Sequence, residues 1–491
     1  LNFWTLDNLC TSTGAGRWAN PPTSARRATV IDGLSTDTRA LRPGQAFLAL
    51  RGATHDGHDH AAHAARAGAG VLIVDRPVTL PEGLDTPVIL VPDTRRALAV
   101  LGATRRASLR ARVIAVCGSN GKTGTVRLLS AALGPHGAGL AGTASIKSFN
   151  NDIGVPLTIL GARDTDDYLI CEVGSNAPGE INALGAIVKP DIALVTSIGR
   201  EHLAGFGDIE GVAREEASIF RHVRPGGLAI ATADAPDLQC LGQCVHRRLT
   251  FGLSPQADLR LTGARYEHGP AGLMLHATTN GPAFTLPLIG RHNALNALGA
   301  ILVARELGVT DARACAGLAH AQGADMRLAV QTVHLAGPGG PHAPAVTLIN
   351  DAYNANPESV LAGLETLAEV SRAMSPPALR RVAILGDLLE LGQAEAESHA
   401  EVLRAALTHA ELVVAAGARM QRACQGLPIP AGRTLVPMHA LDGPVPADIA
   451  SLIEPGDCVL VKGSRSSRTE RVADAILARS APVPPPHGTP A

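Results

Sequence analysis

The chemistry legible in this chain begins at Val113-Ile-Ala-Val-Cys117-Gly-Ser-Asn-Gly-Lys-Thr123, an apolar strand that enters a glycine turn and continues as a helix-like segment from Thr125 to Leu133. A turn of this kind aims the backbone N–H groups of Gly118, Ser119, Asn120 and Gly121, and a helix N-terminus, at phosphate oxygens. Lys122 adds charge, and the Thr123 hydroxyl reaches a metal bound to those phosphates. The longer phosphate-loop spacing wants a glycine six residues before the lysine, where Val116 stands, so the match is the short Gly118-x-x-Gly121-Lys122-Thr123. The alternative is an ordinary strand-to-helix turn. The strand–loop–helix context predicts a nucleoside-triphosphate site.

Two more apolar runs end in reactive side chains. Tyr168-Leu-Ile-Cys-Glu172 ends in an acid, and Asp191-Ile-Ala-Leu-Val195 leads through Thr196 to His202. Open parallel sheets gather their ligands at the carboxyl ends of strands, and a carboxylate there faces the Mg²⁺ of a bound triphosphate. Taken singly, Glu172 is equally a turn cap and His202 a loop residue; together with the glycine turn they point to a metal–nucleotide site. Asn150 and Asn151 lie in a polar turn before Pro156. Gly290-Arg-His292-Asn293-Ala-Leu-Asn296 opens a helix whose i, i+3 asparagines share a face and present amides able to read a base edge.

The elements that must hold these groups follow from length and composition. The 491 residues suggest about three domains. Aromatics are 2% of the chain against 46% hydrophobic residues, so the cores must be aliphatic, helix on parallel sheet. The expected architecture is α/β in three domains. Residues 1–111 form a small α/β domain with strands in Gln45–Leu50, Gly70–Val74 and Pro87–Val91. Residues 112–324 form a doubly wound parallel sheet of phosphate-loop type. Residues 325–491 form a Rossmann-like domain with strands in Ala345–Ile349, Val382–Leu385 and Cys458–Val461, and a Pro-rich disordered tail after about 480. Gly337 to Pro344 reads as an exposed hairpin or insertion.

Composition also excludes. A net charge of −1 gives no basic footprint for nucleic acid. The only lysines are Lys122, Lys147, Lys189 and Lys462. Eight scattered cysteines, several inside apolar runs, fit a reducing compartment. Cys240-x-x-x-Cys244 with His246 is half a metal site lacking a second ligand pair. His55-Asp-Gly-His58-Asp-His60-Ala-Ala-His63 is read as a solvated loop and helix start capped by Asp59 rather than as a metal site. No signal-like N-terminus or membrane-length apolar run is visible, so a cytoplasmic protein without membrane insertion, monomeric, is expected.

The set Gly118-Ser-Asn-Gly-Lys-Thr123, Glu172, His202, Gly290-Arg-His-Asn293 and Asn350-Asp-Ala-Tyr-Asn-Ala-Asn-Pro357, in this order, resembles the Mur ligases, ATP-dependent enzymes that extend the peptide of the bacterial cell-wall precursor. The likeness runs from Ser35-Thr-Asp-Thr-Arg39 to Lys462-Gly-Ser-Arg465. Asn150–Pro156, Asp351–Pro357 and Gly386-Asp-Leu-Leu-Glu-Leu-Gly392 are similar to the branch that joins D-alanyl-D-alanine to UDP-N-acetylmuramoyl-tripeptide; the Asp-Asn-Pro-Arg signature of the diaminopimelate-adding branch is absent.

The resemblance implies a UDP-sugar-binding first domain, an ATP-binding second and a closing third, with an acyl phosphate formed on the tripeptide carboxylate. It implies that Lys122, Glu172, His202 and Glu216 are catalytic. Gly118 to Gly124, His292, Asn293, Asn296, Arg327, Asp351 and Tyr353 would contact ATP. Asp37, Thr38, Arg39, Asn150 and Asn151 would hold the UDP substrate. Thr123 and Glu172 would hold one Mg²⁺, and His202 and Glu216 a second. Two departures stand out: Gly124 occupies a usual Ser or Thr position, and Glu216, or Glu215 in the neighbouring register, stands where the family carries a carbamylated lysine. The expectation is that Glu216 supplies that carboxylate directly. A folylpolyglutamate synthase-like ligase and a non-catalytic nucleotide-binding regulator are the competing readings.

Overall fold

The computed structural model describes residues 3–235, 245–269, 272–336, 343–374 and 376–480. Three sheets follow one another along the chain. The first has five strands: β1 (Arg17–Asn20), β2 (Leu34–Ser35), β3 (Ala46–Leu48), β4 (Val71–Val74) and β5 (Val88–Leu90), in the order β1-β5-β4-β3-β2, parallel except at β1. The three predicted strands here are found. The histidine-rich stretch departs from its reading. Asp56, not Asp59, caps the short helical turn Gly57–His60. His58 is buried, its Nδ1 2.6 Å from Asp56 Oδ1 and its Nε2 accepting the Asp75 N–H at 3.1 Å. A buried imidazole needs partners for both nitrogens, and two acidic residues on neighbouring segments supply them.

The second sheet has nine strands: β6 (Arg112–Cys117), β7 (Gly142–Ala144), β8 (Tyr168–Glu172), β9 (Ile192–Val195), β10 (Leu228–Thr232), β11 (Arg248–Gly252), β12 (Leu259–Gly269), β13 (Gly272–Thr279) and β14 (Phe284–Leu286). Their order is β14-β13-β12-β11-β10-β9-β6-β8-β7. β6, β8, β9 and β10 are buried on both faces and read as continuous apolar runs for that reason. From β12 onward the pairing turns antiparallel, a meander the alternation of that stretch did not disclose. β8 has the bounds expected for the acid-ending strand. Its register sets Val116 beside Glu172, and β9 sets Cys117 beside Val195, so the three chemistry-bearing strand ends emerge side by side.

The third sheet runs β15-β16-β20-β17-β18-β19, with β15 (Ala329–Val333), β16 (Val346–Asp351), β17 (Arg380–Gly386), β18 (Leu412–Ala416), β19 (Thr434–Met438) and β20 (Asp457–Lys462). All pairs are parallel except β15 with β16. Its core takes in Ile289 and Leu328 from the preceding segment, with Tyr266 and Leu273 of the β12–β13 hairpin packed beside them. The first sheet is tied to the second through the helix Thr94–Ser108. There Arg106, 3% exposed, donates to the Val188 and Lys189 carbonyls and to Asp191. The expected insertion at Gly337–Pro344 lies largely outside the described residues, as do Cys240, Cys244 and the tail after Ser480. The six described cysteines are free thiols. Among the described residues no helix is long and apolar enough to cross a membrane.

Candidate active site

The glycine turn is fixed from below and from the side. Gly118 (φ +119°) approaches β9 so closely that a Cβ there would lie 2.2 Å from Thr196 Oγ1. Gly121 (φ +86°) would place one 2.6 Å from Asn296 Nδ2. Both positions therefore require glycine, for conformation and for space. Thr196 Oγ1 donates to the Cys117 and Asn120 carbonyls, Ser197 Oγ accepts the Asn120 N–H at 2.9 Å, and Ser119 Oγ accepts the Gly199 N–H at 2.9 Å. The loop is thus laced to the segment after β9, and the helix Lys122–Leu133 starts from it.

Lys122 Nζ donates to the Gly118 carbonyl at 2.5 Å and stands 3.9 Å from Glu201 Oε1. Burial works against its charge, but Glu201, Glu216 and Glu172 around it hold its pKa above the ordinary lysine value. Glu172, 1% exposed, accepts the Thr123 hydroxyl at 2.9 Å on one oxygen and the Asn150 amide at 3.0 Å on the other. Thr123 and Glu172 are hard oxygen donors side by side. Mg²⁺ suits such a set, because it takes one or two carboxylates and completes its shell with phosphate and water.

Glu216 faces the backbone of the glycine turn. It is 2% exposed, its Oε2 accepts the Gly118 N–H at 2.6 Å, and it lies beneath the turn rather than on the cavity wall. Burial lifts its pKa above the ordinary carboxylate range in spite of Lys122 and the Gly118 N–H. Glu215, the register alternative, is committed elsewhere: its two oxygens accept the Gly179 and Ile181 N–H groups at 2.8 Å each, at the start of the helix Glu180–Val188. Among the described residues no group of three or more His, Cys, Asp or Glu stands at metal-holding spacing.

A cavity of about 1440 Å³ opens over the turn, lined on one side by the phosphate loop, Asn150, Asn151, Glu172, Glu201 and His202 and on the other by residues of the third sheet. His202 (φ +50°) pairs through Nδ1 with Glu390 of the β17 loop. Asn293 and Asn296 face the turn from the helix Arg291–Glu306, with Gly124 open toward both. His292 lines the cavity beside them; burial and the nearby Lys462 depress its pKa against the pull of Asp351. Arg327 stacks on the Tyr353 ring at 4.2 Å, Tyr353 Oη meets Ser148 Oγ at 2.8 Å, and Asp351 pairs with Lys462 at 2.6 Å.

Asp37, Thr38 and Arg39 stand apart, absent from this cavity's lining. Arg39 and Asp37 satisfy each other at the surface at 2.7 Å, which holds the Asp37 carboxyl down at about 2. Sequence reasoning missed Glu201, Lys462, Glu358 and Glu390 as members of the site. Glu201 and Lys462 had a signal, position at the end of a strand or its loop; Glu358 and Glu390 depend on how the third sheet docks, which no local pattern encodes.

Three family models match consecutive parts of the chain: Mur ligase family, catalytic domain, at residues 30–106; Mur ligase middle domain at 116–304; and Mur ligase, glutamate ligase domain, at 341–465. The UDP-N-acetylmuramoyl-tripeptide--D-alanyl-D-alanine ligase of Escherichia coli K12 is 34% identical over 450 residues, covering 91% of this chain and 94% of that protein. The Bacillus subtilis 168 enzyme of the same name is 34% identical over 390 residues, 79% of each chain. Among solved structures, MurF from Acinetobacter baumannii superposes with a TM-score of 0.80 at 30% identity, over 96% of this chain and 98% of its own. MurF ligase from Thermotoga maritima in complex with ADP gives 0.74 at 25% identity, over 91% and 97%. Identity at this level, sustained over nine-tenths of the chain and joined to the glycine turn, Glu172 and His202 at neighbouring strand ends, places the chain in the Mur ligase family, among the UDP-N-acetylmuramoyl-tripeptide--D-alanyl-D-alanine ligases.

Proposed function

We propose that the chain joins D-alanyl-D-alanine to UDP-N-acetylmuramoyl-tripeptide at the expense of ATP, releasing ADP and phosphate, and that the cavity over Lys122 is where this occurs. The observation that carries the reading is the side-by-side emergence of the glycine turn, Glu172 and Thr196 from three parallel strands, with Lys122 charged among them. We take residues 1–111, 112–324 and 325–491 as UDP-sugar, ATP and ligase domains of a monomer working in the cytoplasm, where its substrates are made.

The tripeptide carboxylate and the γ-phosphate are both anionic, and their approach needs positive charge held in place. The N–H groups at the start of the helix Lys122–Leu133 and the Lys122 ammonium receive the triphosphate; Lys122 must leave the Gly118 carbonyl and turn to the β/γ oxygens. Thr123 and Glu172 would hold Mg²⁺, which when bound supplies further neutralisation of the phosphates. Asn293 and Asn296 would face the base, with Arg327, Tyr353 and Asp351 closing over the nucleotide. Attack of the carboxylate on the γ-phosphate forms an acyl phosphate and ADP; the free amine of D-alanyl-D-alanine then adds to the acyl carbon, and phosphate leaves. Glu216 supports the turn from beneath, since the Gly118 N–H it accepts is otherwise buried without a partner. Asn150 orients Glu172, and Asn151 Oδ1 accepts the Ile153 and Gly154 N–H groups at 3.2 and 2.9 Å where the helix Gly154–Gly161 begins.

The deciding experiment measures ADP release from purified protein with the UDP-tripeptide, with and without D-alanyl-D-alanine. Release dependent on both is expected. Release with a folate substrate instead would favour the folylpolyglutamate synthase-like reading, and nucleotide binding without turnover the regulator.

A further inference from the structure

Arg200 lies outside the cavity lining, two residues before His202, yet it makes three polar contacts with helices that flank the third sheet. Its backbone N–H donates to Glu358 Oε2 at 2.9 Å and its Nε to Glu358 Oε1 at 2.6 Å, while NH1 reaches Glu401 Oε2 at 2.7 Å. One guanidinium therefore bridges two helices, Pro357–Ala373 and Glu395–His409, which pack on each other through Val360, Leu364, Val402 and Leu403. All three side chains are only about a quarter to a third exposed. Glu358 sits in the first turn of a helix whose N-cap, Asn356, donates its amide to Asn120 Oδ1 of the glycine turn at 3.0 Å. On the other side, Glu390 takes His202 through its side chain and the Ala204 N–H through its carbonyl at 3.1 Å.

We propose that Arg200 is a positioning residue that sets how closely the third domain is held over the phosphate loop, acting through Glu358 on Asn356 and Asn120. The proposal rests on the reaction read above. Planar charge-assisted contacts to two carboxylates fix orientation as well as distance, and polar interdomain contacts otherwise leave domains free to move. Because the pairs are partly exposed, the hold weakens with salt.

The test uses the full chain. Small-angle scattering without ligand should give Arg200→Ala a larger radius of gyration than the wild type. Its ADP affinity should fall by less than kcat/KM for D-alanyl-D-alanine, since only the third-domain contacts to the nucleotide loosen, while that kcat/KM falls about tenfold or more. That kcat/KM should fall with added NaCl in the wild type and be flat in Arg200→Ala; Glu401→Gln, a milder change that keeps Glu358, should lie between. The swap Arg200→Glu with Glu401→Arg should recover part of the loss. Unchanged scattering together with unchanged kinetics overturns the proposal, as does a loss of ADP affinity equal to the loss of kcat/KM. A wild type that never consumes D-alanyl-D-alanine would defeat the proposed function, while the scattering comparison still decides the role of Arg200.

Discussion

The phosphate loop and the Asp37–Arg39 turn both follow the carboxyl end of a parallel strand, β6 in one case and β2 in the other. They are held in opposite ways. The loop's partners come from far along the chain: Glu172 forty-nine residues from Thr123, Thr196 seventy-six from Asn120, Glu216 ninety-eight from Gly118. The Asp37–Arg39 turn is satisfied by itself, with Ser35, Asp37 and Arg39 bonded at a separation of two. A segment over-determined by its surroundings is shaped before ligand arrives; one that closes on itself at the surface must give up its own pairs to bind. The proposed reaction chemistry and the proposed substrate grip therefore stand on different physical footings here.

The sharpest way to break that contrast is Lys122→Met. It should lower kcat/KM about 10³-fold, as loss of a preorganised cation does, measured by ADP release; a fall of only a few fold would mean that the loop is not where charge is neutralised. Glu216 tests whether the loop is held from beneath. Glu216→Ala strands the Gly118 N–H at a cost of about 1–3 kcal/mol, which should appear as weaker nucleotide binding. Glu216→Gln keeps an acceptor and most of the activity, and added bicarbonate changes neither variant. If Glu216→Gln instead loses Mg²⁺-dependent activity outright, its carboxylate is a metal ligand after all.

The same residue gives a signed pH prediction. Burial raises the Glu216 pKa in the folded chain above the unfolded value. Its contribution to stability is therefore full below the ordinary glutamate pKa and is lost as pH rises through the raised one. Glu216→Gln mimics the protonated form, so without ligand its melting temperature should exceed the wild type's at pH 8 and match it at pH 5. On the other side of the comparison, Arg39→Ala should raise KM for the UDP substrate severalfold and leave KM for ATP unchanged. The smallest expected effect is Gly124→Ser: a Cβ there meets only Asn293 Oδ1 at 3.6 Å and Asn296 Nδ2 at 3.9 Å, so the residue fits. Removing a helix-interior glycine is worth roughly 0.5–1 kcal/mol, a slightly higher melting temperature.

What could be read in advance divides along the same line. β8 was legible residue by residue because a strand buried on both faces must be apolar until its functional end at Glu172. The helix from Arg291 and the strands feeding Asp351, Gly386 and Lys462 were legible likewise. The direction in which Glu216 points was not, because helical position alone does not say whether a carboxylate looks up at a ligand or across at a backbone N–H. Nor was the pairing of His202 with Glu390, 188 residues away, or the buried role of His58. Those depend on which surfaces meet.

The rarity of lysine beside Lys122 has a practical corollary. Besides the chain's own α-amine, only four primary amines exist. Lys122 is folded onto its own loop and Lys462 is 2% exposed and paired with Asp351, whereas Lys147 and Lys189 are exposed. An amine-selective acylating reagent therefore has two fast lysine targets and two guarded ones, and the rate at which Lys122 itself is labelled is a direct clock for how often the phosphate loop releases its ammonium.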